Sequence, residues 1–166
     1  MYKLIRQVIS FMFTRLAILR VGSYKGLPKV NFYSRFTPHT HLGRNCHFNG
    51  FLIRGKGKVL IGDNFHSGKD VLIINSYHQY DGGDAIPYDS KNTIDKDVVI
   101  EDNVWVGDRV IILGGVRIGE GAIIQAGSVV VNDVQKCSIV GGAPAGHFKY
   151  RDIVSYETLK DRGLFS

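Results

Sequence analysis

The sequence predicts an all-β solenoid, and three observations predict it: a six-residue beat of apolar residues, Gly, Asp or Asn where the chain bends, and one loop that breaks the beat. Ile94, Ile100, Val106, Ile112, Ile118, Ile124 and Val130 are aliphatic and six apart. Four residues after each stands Val98, Val104, Val110, Val116, Ala122, Ser128 or Val134, a second apolar or small column in the same register. Six is neither the helical nor the simple strand period. A sustained fixed period marks a fold whose units bury their apolar faces only by stacking on neighbours.

Each hexad reads as a short strand with its leading residue inward, followed by a turn: Ile61-Gly62-Asp63-Asn64, Val106-Gly107-Asp108, Ile118-Gly119-Glu120-Gly121. Such residues accept positive φ or bond their own backbone. With three hexads to a coil, residues 18 apart stack at the strand spacing of about 4.8 Å. Upstream, Leu42 and Phe48 hold the beat, one extra residue near Gly55 to Lys58 shifts its phase, and Ile61, Ser67 and Ile73 resume it. Between Ile73 and Ile94 about fifteen residues too many intervene, so residues 79–93 leave the coil as a loop rich in Gly, Asp, Pro and Tyr. A long insertion in a compact fold is commonly functional.

The whole chain, residues 1–166, reads as a single domain: a β-helix of about four coils over 37–145, an N-terminal helix over 1–22 and a C-terminal helix over 151–164. Twenty glycines supply the corners. Two cysteines in repeat positions, Cys46 and Cys137, argue against a disulfide framework and for a reducing, cytoplasmic compartment. A net charge of +6 favours anionic partners, but dispersed charge without an aromatic-interleaved basic stripe gives no sign of nucleic-acid binding. The first twenty residues mix apolar side chains with Lys3, Arg6, Arg15 and Arg20 too often for a spanning helix or a signal peptide. They read as an amphipathic helix, either docked peripherally at the inner face of the membrane through residues 1–20 or packed on the solenoid or a sister subunit. The C-terminal helix is expected to cap the last coil.

The hexads, Val104-Trp105-Val106-Gly107, the run Ile124 to Val130 and the closing Gly141-Gly142-Ala143-Pro144-Ala145 resemble the hexapeptide-repeat acyltransferases, and more narrowly their sugar and polysaccharide O-acetyltransferase branch. The resemblance covers residues 42–151. It implies a left-handed parallel β-helix, a homotrimer, and acetyl-CoA as co-substrate between subunits, with no metal. The expected activity is acetyl transfer to a sugar hydroxyl in surface polysaccharide or lipopolysaccharide assembly; amino-sugar N-acetylation and acetylation of an antibiotic, as in streptogramin enzymes, are the alternatives.

On that resemblance His78, at the root of the loop, is the general base, since neutral imidazole suits proton removal from an attacking hydroxyl. Its alternative is a solvated loop histidine, and Asp81, Asp84 or Glu101 are candidates to orient it. Asp108 occupies the place whose backbone N–H polarises the acetyl carbonyl, although a carboxylate there repels an oxyanion unless it points away. Ala126, one coil above it, matches the residue beside the pantetheine arm. Trp105 matches a cleft-lining aromatic, while Lys149 and Arg151 are candidates for the CoA phosphates. Asn49, Tyr80 and Asp81 are candidate acceptor contacts. A packing alanine, a half-buried tryptophan and solvated surface charges are the plain alternatives. The rival class is a zinc lyase on the same solenoid, because His41, His47, His66 and His78 share a hexad position; its downstream histidines would fall at Asp108 and Leu113. A non-catalytic solenoid is the third reading.

Overall fold

The computed structural model describes residues 2–166, with side chains from Leu4 onward; Met1 of the expected N-terminal helix lies outside the described residues. The chain winds a left-handed parallel β-helix of about six turns. One face stacks β1 (Ser23–Tyr24), β3 (Thr40–Leu42), β5 (Val59–Ile61), β9 (Val98–Ile100) and β12 (Arg117–Ile118). A second stacks β2 (Lys29–Phe32), β4 (His47–Arg54), β6 (His66–Ile74), β10 (Trp105–Val106), β13 (Ile123–Ile124) and β15 (Ser138–Gly141). Strands β4 and β6 are long enough to turn the corner, so their C-terminal halves begin the third face, which β11 (Ile111–Leu113) and β14 (Val129–Val130) continue. Above the extra segment the register is eighteen residues, as in Trp105↔Ile123 and Ile111↔Val129.

The solenoid starts earlier than residue 37 and has more coils than the four expected, because parallel pairing already runs from Ser23↔His41 and Lys29↔His47. The beat itself reaches there: Val30, Phe36, Leu42 and Phe48 are six apart and buried. Aromatic rings replace aliphatic side chains in these lower coils, and Phe36 meets Phe48 edge to face with centroids 4.9 Å apart. Higher up Ile100, Ile112, Ile118 and Ile124 fill the same column at 0–1% exposure. Full burial of each such side chain contributes about 1.5–3 kcal/mol. Ile94 departs from the column: it lies on an outer hairpin opposite Tyr77, so the inward beat resumes at Ile100.

Coils are locked at their corners by carboxylates. Asp63, Asp102 and Asp108 each accept the backbone N–H of a residue one coil below, those of Arg44, Asp63 and Lys69. The glycines at Gly43, Gly62 and Gly68 are required for this, because a Cβ at Gly62 would stand 2.2 Å from the Asp102 Oδ1. At the next position Asn45, Asn64 and Asn103, all left-handed, pass side-chain amide hydrogen bonds upward at 3.0 and 2.9 Å.

Both ends are closed. Helix α1 (Tyr2–Ile18) seats Ser10 and Thr14 on the open edge of β2, where Ser10 Oγ donates to the Val30 carbonyl and the Val30 N–H donates to Thr14 Oγ1, each at 3.0 Å. At the other end β16 (Gly146–Tyr150) folds back antiparallel on β15. Helix α2 (Ile153–Asp161) does not cap the last coil as expected but descends the side of the solenoid. Tyr156 reaches Asn103 and Glu120 there, and the Ser166 carbonyl accepts from Asn45. Lys136 and Lys160 flank Glu120 and bind the helix to the upper coils. Cys46 and Cys137 are free and buried; burial pushes the Cys46 thiol up to about 11.

A Gly62→Ala substitution should displace the Asp102 carboxylate and leave the Asp63 amide without its partner, at a cost of about 1–3 kcal/mol. Urea unfolding of Gly62→Ala, Asp102→Ala and the double variant checks this. The two costs should be far from additive, since both remove one hydrogen bond.

Candidate active site

Residues 79–93 are not a structureless loop. Strands β7 (Ser76–Gln79) and β8 (Asp89–Asp95) make an antiparallel hairpin that leaves the coil after Asn75, with an irregular tip between them. Asn75 is fully buried; its backbone donates to the Arg54 carbonyl and its side-chain Nδ2 to that of Gly57 at 2.7 Å. The Gly55 to Lys58 segment thus wraps the root: a Cβ at Gly55 would meet the Asn75 Oδ1 at 2.2 Å. Tyr77 fixes the hairpin to the coil above, its hydroxyl donating to the Ile74 carbonyl at 3.0 Å and accepting from the Gly114 N–H at 2.7 Å.

One position beyond this anchor stands His78, paired with Thr93 across the hairpin and exposed. Its ring stacks flat on Tyr88, with centroids 4.2 Å apart and an interplanar angle of 16°. Tyr88 fixes the plane of the imidazole while leaving the ring edge open to a partner. None of Asp81, Asp84 and Glu101 hydrogen-bonds His78 among the described residues. Glu101 is occupied elsewhere, accepting from the Glu120 N–H and pairing with Arg117. Asp89 braces the hairpin, its carboxyl held down by hydrogen bonds from the Lys91 amide and the Asn92 side chain. Tyr80 is exposed near the tip, and Asp81 accepts from Gln79 through its backbone carbonyl.

A different corner gathers the other candidates. Asp108 and Ala126 stack as the 18-residue period requires, with the Gly127 N–H donating to the Asp108 carbonyl at 2.8 Å. The Asp108 carboxylate accepts the Lys69 amide N–H of the coil below at 2.7 Å, and the residue stays exposed at the corner. Lys69, Asp70, Asp108, Arg109, Ala126 and Gly127 line a shallow cleft of about 380 Å³ there. Asn49 lies lower on this corner with both ends of its amide satisfied, by Asn31 at 3.0 Å and by the Ser67 carbonyl at 2.6 Å. Lys69 and Arg109 are cations that the sequence reading passed over; their positions just after corner glycines or carboxylates were the available signal.

Trp105 is 54% exposed on the second face, in register above His66 and His47. With Arg151, Tyr156, Leu159 and Phe165 it lines a cleft of about 380 Å³ beside α2. Arg151 is engaged in that wall: its Nε donates to the Gly121 carbonyl at 2.6 Å and its guanidinium lies over the Tyr156 ring. Lys149 is exposed on β16. Within one chain, therefore, His78, Tyr80 and Asp81 share the hairpin, while Asn49, Asp108 and Ala126 share the corner at the opposite end of the third face. One face of about five residues, roughly 17 Å of strand, separates the groups.

The histidines of the repeat do not converge. His47 and His66 stack with centroids 4.2 Å apart, His41 hydrogen-bonds Ser23, and among the described residues no group of three or more His, Cys, Asp or Glu side chains is placed to hold a metal. Burial, then His66 and Lys29, push His47 down to about 4. The unfolded chain takes up this proton near pH 6.5 and the folded chain only near about 4, so the unfolded state binds more protons between those values. The resulting stability is complete above about pH 6.5 and is lost as pH falls toward 4. Thermal melts of His47→Gln should show a weaker pH dependence in that window than the parent, and parallel curves would remove His47 as the cause.

A family model described as bacterial transferase hexapeptide (six repeats) matches residues 97–132. Chloramphenicol acetyltransferase of Klebsiella aerogenes is 30% identical over 149 residues, covering 80% of this chain and 68% of that protein. A maltose O-acetyltransferase from Clostridium difficile superposes with a TM-score of 0.62 at 27% identity, over 89% of this chain and 86% of that one. A hexapeptide-repeat acetyltransferase of Vibrio cholerae, complexed with acetyl coenzyme A, gives 0.59 at 27% identity over 84% and 75%. The chain spans from 20% to 68% of the length of the curated relatives it matches.

Proposed function

The chain belongs to the hexapeptide-repeat acetyltransferases, and from that premise we propose that it moves the acetyl group of acetyl-CoA to a sugar hydroxyl, with His78 as general base. The observation that carries this reading is His78 itself: an exposed imidazole, stacked on Tyr88, one residue from an anchor that ties its strand to two coils. Likeness to a maltose O-acetyltransferase supports a sugar hydroxyl over an amine, and likeness to an acetyl-CoA complex supports the donor. The acceptor belongs to surface polysaccharide or lipopolysaccharide assembly on the cytoplasmic side, where acetyl-CoA is available.

The imidazole takes the proton of the acceptor hydroxyl as its oxygen attacks the thioester carbonyl, then gives that proton to the departing sulfur. The Asp108 N–H steadies the negative oxygen; one such donor is commonly worth about 3 kcal/mol. The hydrogen bond from the Lys69 amide to the Asp108 carboxylate offsets part of the repulsion this role meets. Ala126 leaves room for the pantetheine arm, and Lys69 and Arg109 join Lys149 as cations for the CoA phosphates.

His78 and the Asp108 corner stand on opposite edges of one face, which supports a site completed between copies. A threefold arrangement sets the hairpin of one subunit against the corner of the next, so the working form is a homotrimer. The resemblance to chloramphenicol acetyltransferase favours an antibiotic hydroxyl as the second reading.

Thiol release from acetyl-CoA against sugars, amino sugars, extracted glycans and chloramphenicol tests the class. Sugar-dependent release is expected, and release with chloramphenicol alone would select the second reading. His78→Ala should keep acetyl-CoA binding and oligomeric state while losing about 10²–10⁴-fold in turnover. A near-parental rate in that variant would remove His78 from the chemistry.

A further inference from the structure

The cations are dispersed along the whole chain, but the carboxylates are not. Residues 1–62 hold 11 Lys and Arg and no Asp or Glu, whereas residues 63–166 hold 10 Lys and Arg and all 15 carboxylates. In the fold this boundary falls where the third coil begins, so α1 and the first two coils form one wholly basic end. Among the described side chains, Arg44 alone of these cations has a carboxylate partner, Asp63. Arg20, Arg35 and Arg54 converge around a hollow of about 410 Å³ on one side of this end. Arg6 and Lys29 line another hollow with Asn31.

Helix α1 supplies a second, independent observation. It seats itself on β2 with a narrow stripe of mostly small residues, Ser10, Thr14 and Ala17, with Phe13 against Phe32. Its bulky apolar residues stand on the other side. Leu4, Val8, Phe11, Met12 and Leu16 are between 51% and 65% exposed, and 3.6-residue periodicity gathers them on one face turned away from the coil, with Arg15 among them over the Phe11 ring. A soluble helix ordinarily turns such a face toward its core. The helix is seventeen residues long and carries Arg6 and Arg15, and no helix among the described residues is long and apolar enough to cross a membrane.

We propose that this end of the solenoid docks on an anionic phospholipid surface, with α1 lying in the plane of the interface. The outer face of α1 enters the headgroup and acyl boundary, and the arginines and lysines of the first two coils meet lipid phosphates. The apolar face alone would also suit a second copy of the chain. The charge decides between them: end-to-end copies would press two carboxylate-free cationic surfaces together, whereas an anionic bilayer complements both the charge and the apolar face. Docking through the end leaves the three side faces, with the hairpin and the Asp108 corner, free for subunit packing and for substrates. The proposal does not depend on acetyl transfer.

Co-sedimentation of the full chain with phosphatidylglycerol/phosphatidylcholine vesicles and with phosphatidylcholine vesicles tests it, together with light scattering of the free protein. Binding to the anionic vesicles is expected, at least about tenfold weaker on neutral vesicles and at high salt. The variant Val8→Glu/Met12→Glu, altered at exposed positions only, should lose at least about tenfold in vesicle binding while keeping the parental circular dichroism. A charge variant, Arg20→Gln/Arg35→Gln/Arg54→Gln, should weaken the preference for anionic lipid. No vesicle binding, binding unchanged in the folded Val8→Glu/Met12→Glu variant, or a stable end-to-end assembly of the parent that this variant abolishes would each overturn the proposal. Thiol release is read separately, so failure of the transferase reading leaves this result intact.

Discussion

Everything in this molecule depends on the coil-to-coil contact at the corners. Strand pairing alone would allow neighbouring coils to slip, because the paired strands are only two or three residues long at most levels. The corner carboxylates remove that freedom. Asp63, Asp102 and Asp108 reach down to the amide of the coil below, and the space they occupy exists only because Gly43, Gly62 and Gly68 lack a Cβ. One sequence feature thus sets register and turn geometry together. The same device engages the Asp108 carboxylate with the Lys69 amide, so a structural hydrogen bond also bears on the electrostatics of the candidate site.

A stack of identical coils has two open ends, and this chain closes them by different chemistry. The lower end is an unpaired edge of β2 whose peptide groups need partners. A hydroxyl pair on α1 supplies them, which requires small polar residues on the packing stripe and displaces the large apolar residues to the outside. The upper end is closed by a strand of the same chain, and the remaining segment is free to run down the side. There Tyr156 joins the top of the asparagine ladder, and Glu120 gathers Lys136 and Lys160. The exposed apolar face of α1 is therefore a consequence of how the first coil is closed, and the basic character of that end gives the face its use.

The candidate base gains its orientation from rings and backbone groups. Burial of Asn75 and the two hydrogen bonds of Tyr77 hold the first residues of the hairpin rigidly to the coil, and the flat stack on Tyr88 holds the imidazole plane. An acid partner was the expectation for this histidine, yet Glu101 faces Arg117 on another corner. Among the described residues no carboxylate fixes the tautomer of His78, and the ring stack on Tyr88 holds its plane.

The sequence by itself determined the solenoid, its 18-residue register and the stacking of Ala126 over Asp108, because a period-six pattern has one way to bury every apolar column. It also located the excursion, since fifteen residues beyond the beat cannot remain in a coil. The first coil lies below Leu42, where the beat rests on Val30 and on Phe36, a ring in place of an aliphatic branch. Other features were decided by tertiary structure alone. Ile94 keeps the period yet sits on the hairpin, because backbone pairing with Tyr77 took it out of the coil. Arg151 reads as a free cation but is held by the Gly121 carbonyl and the Tyr156 ring, and α2 follows the side of the solenoid because its partners lie there. The wide separation of His78 from the Asp108 corner is likewise a fact of three dimensions: position along the period tells which residues stack, whereas the distance between corners is set by the face that lies between them.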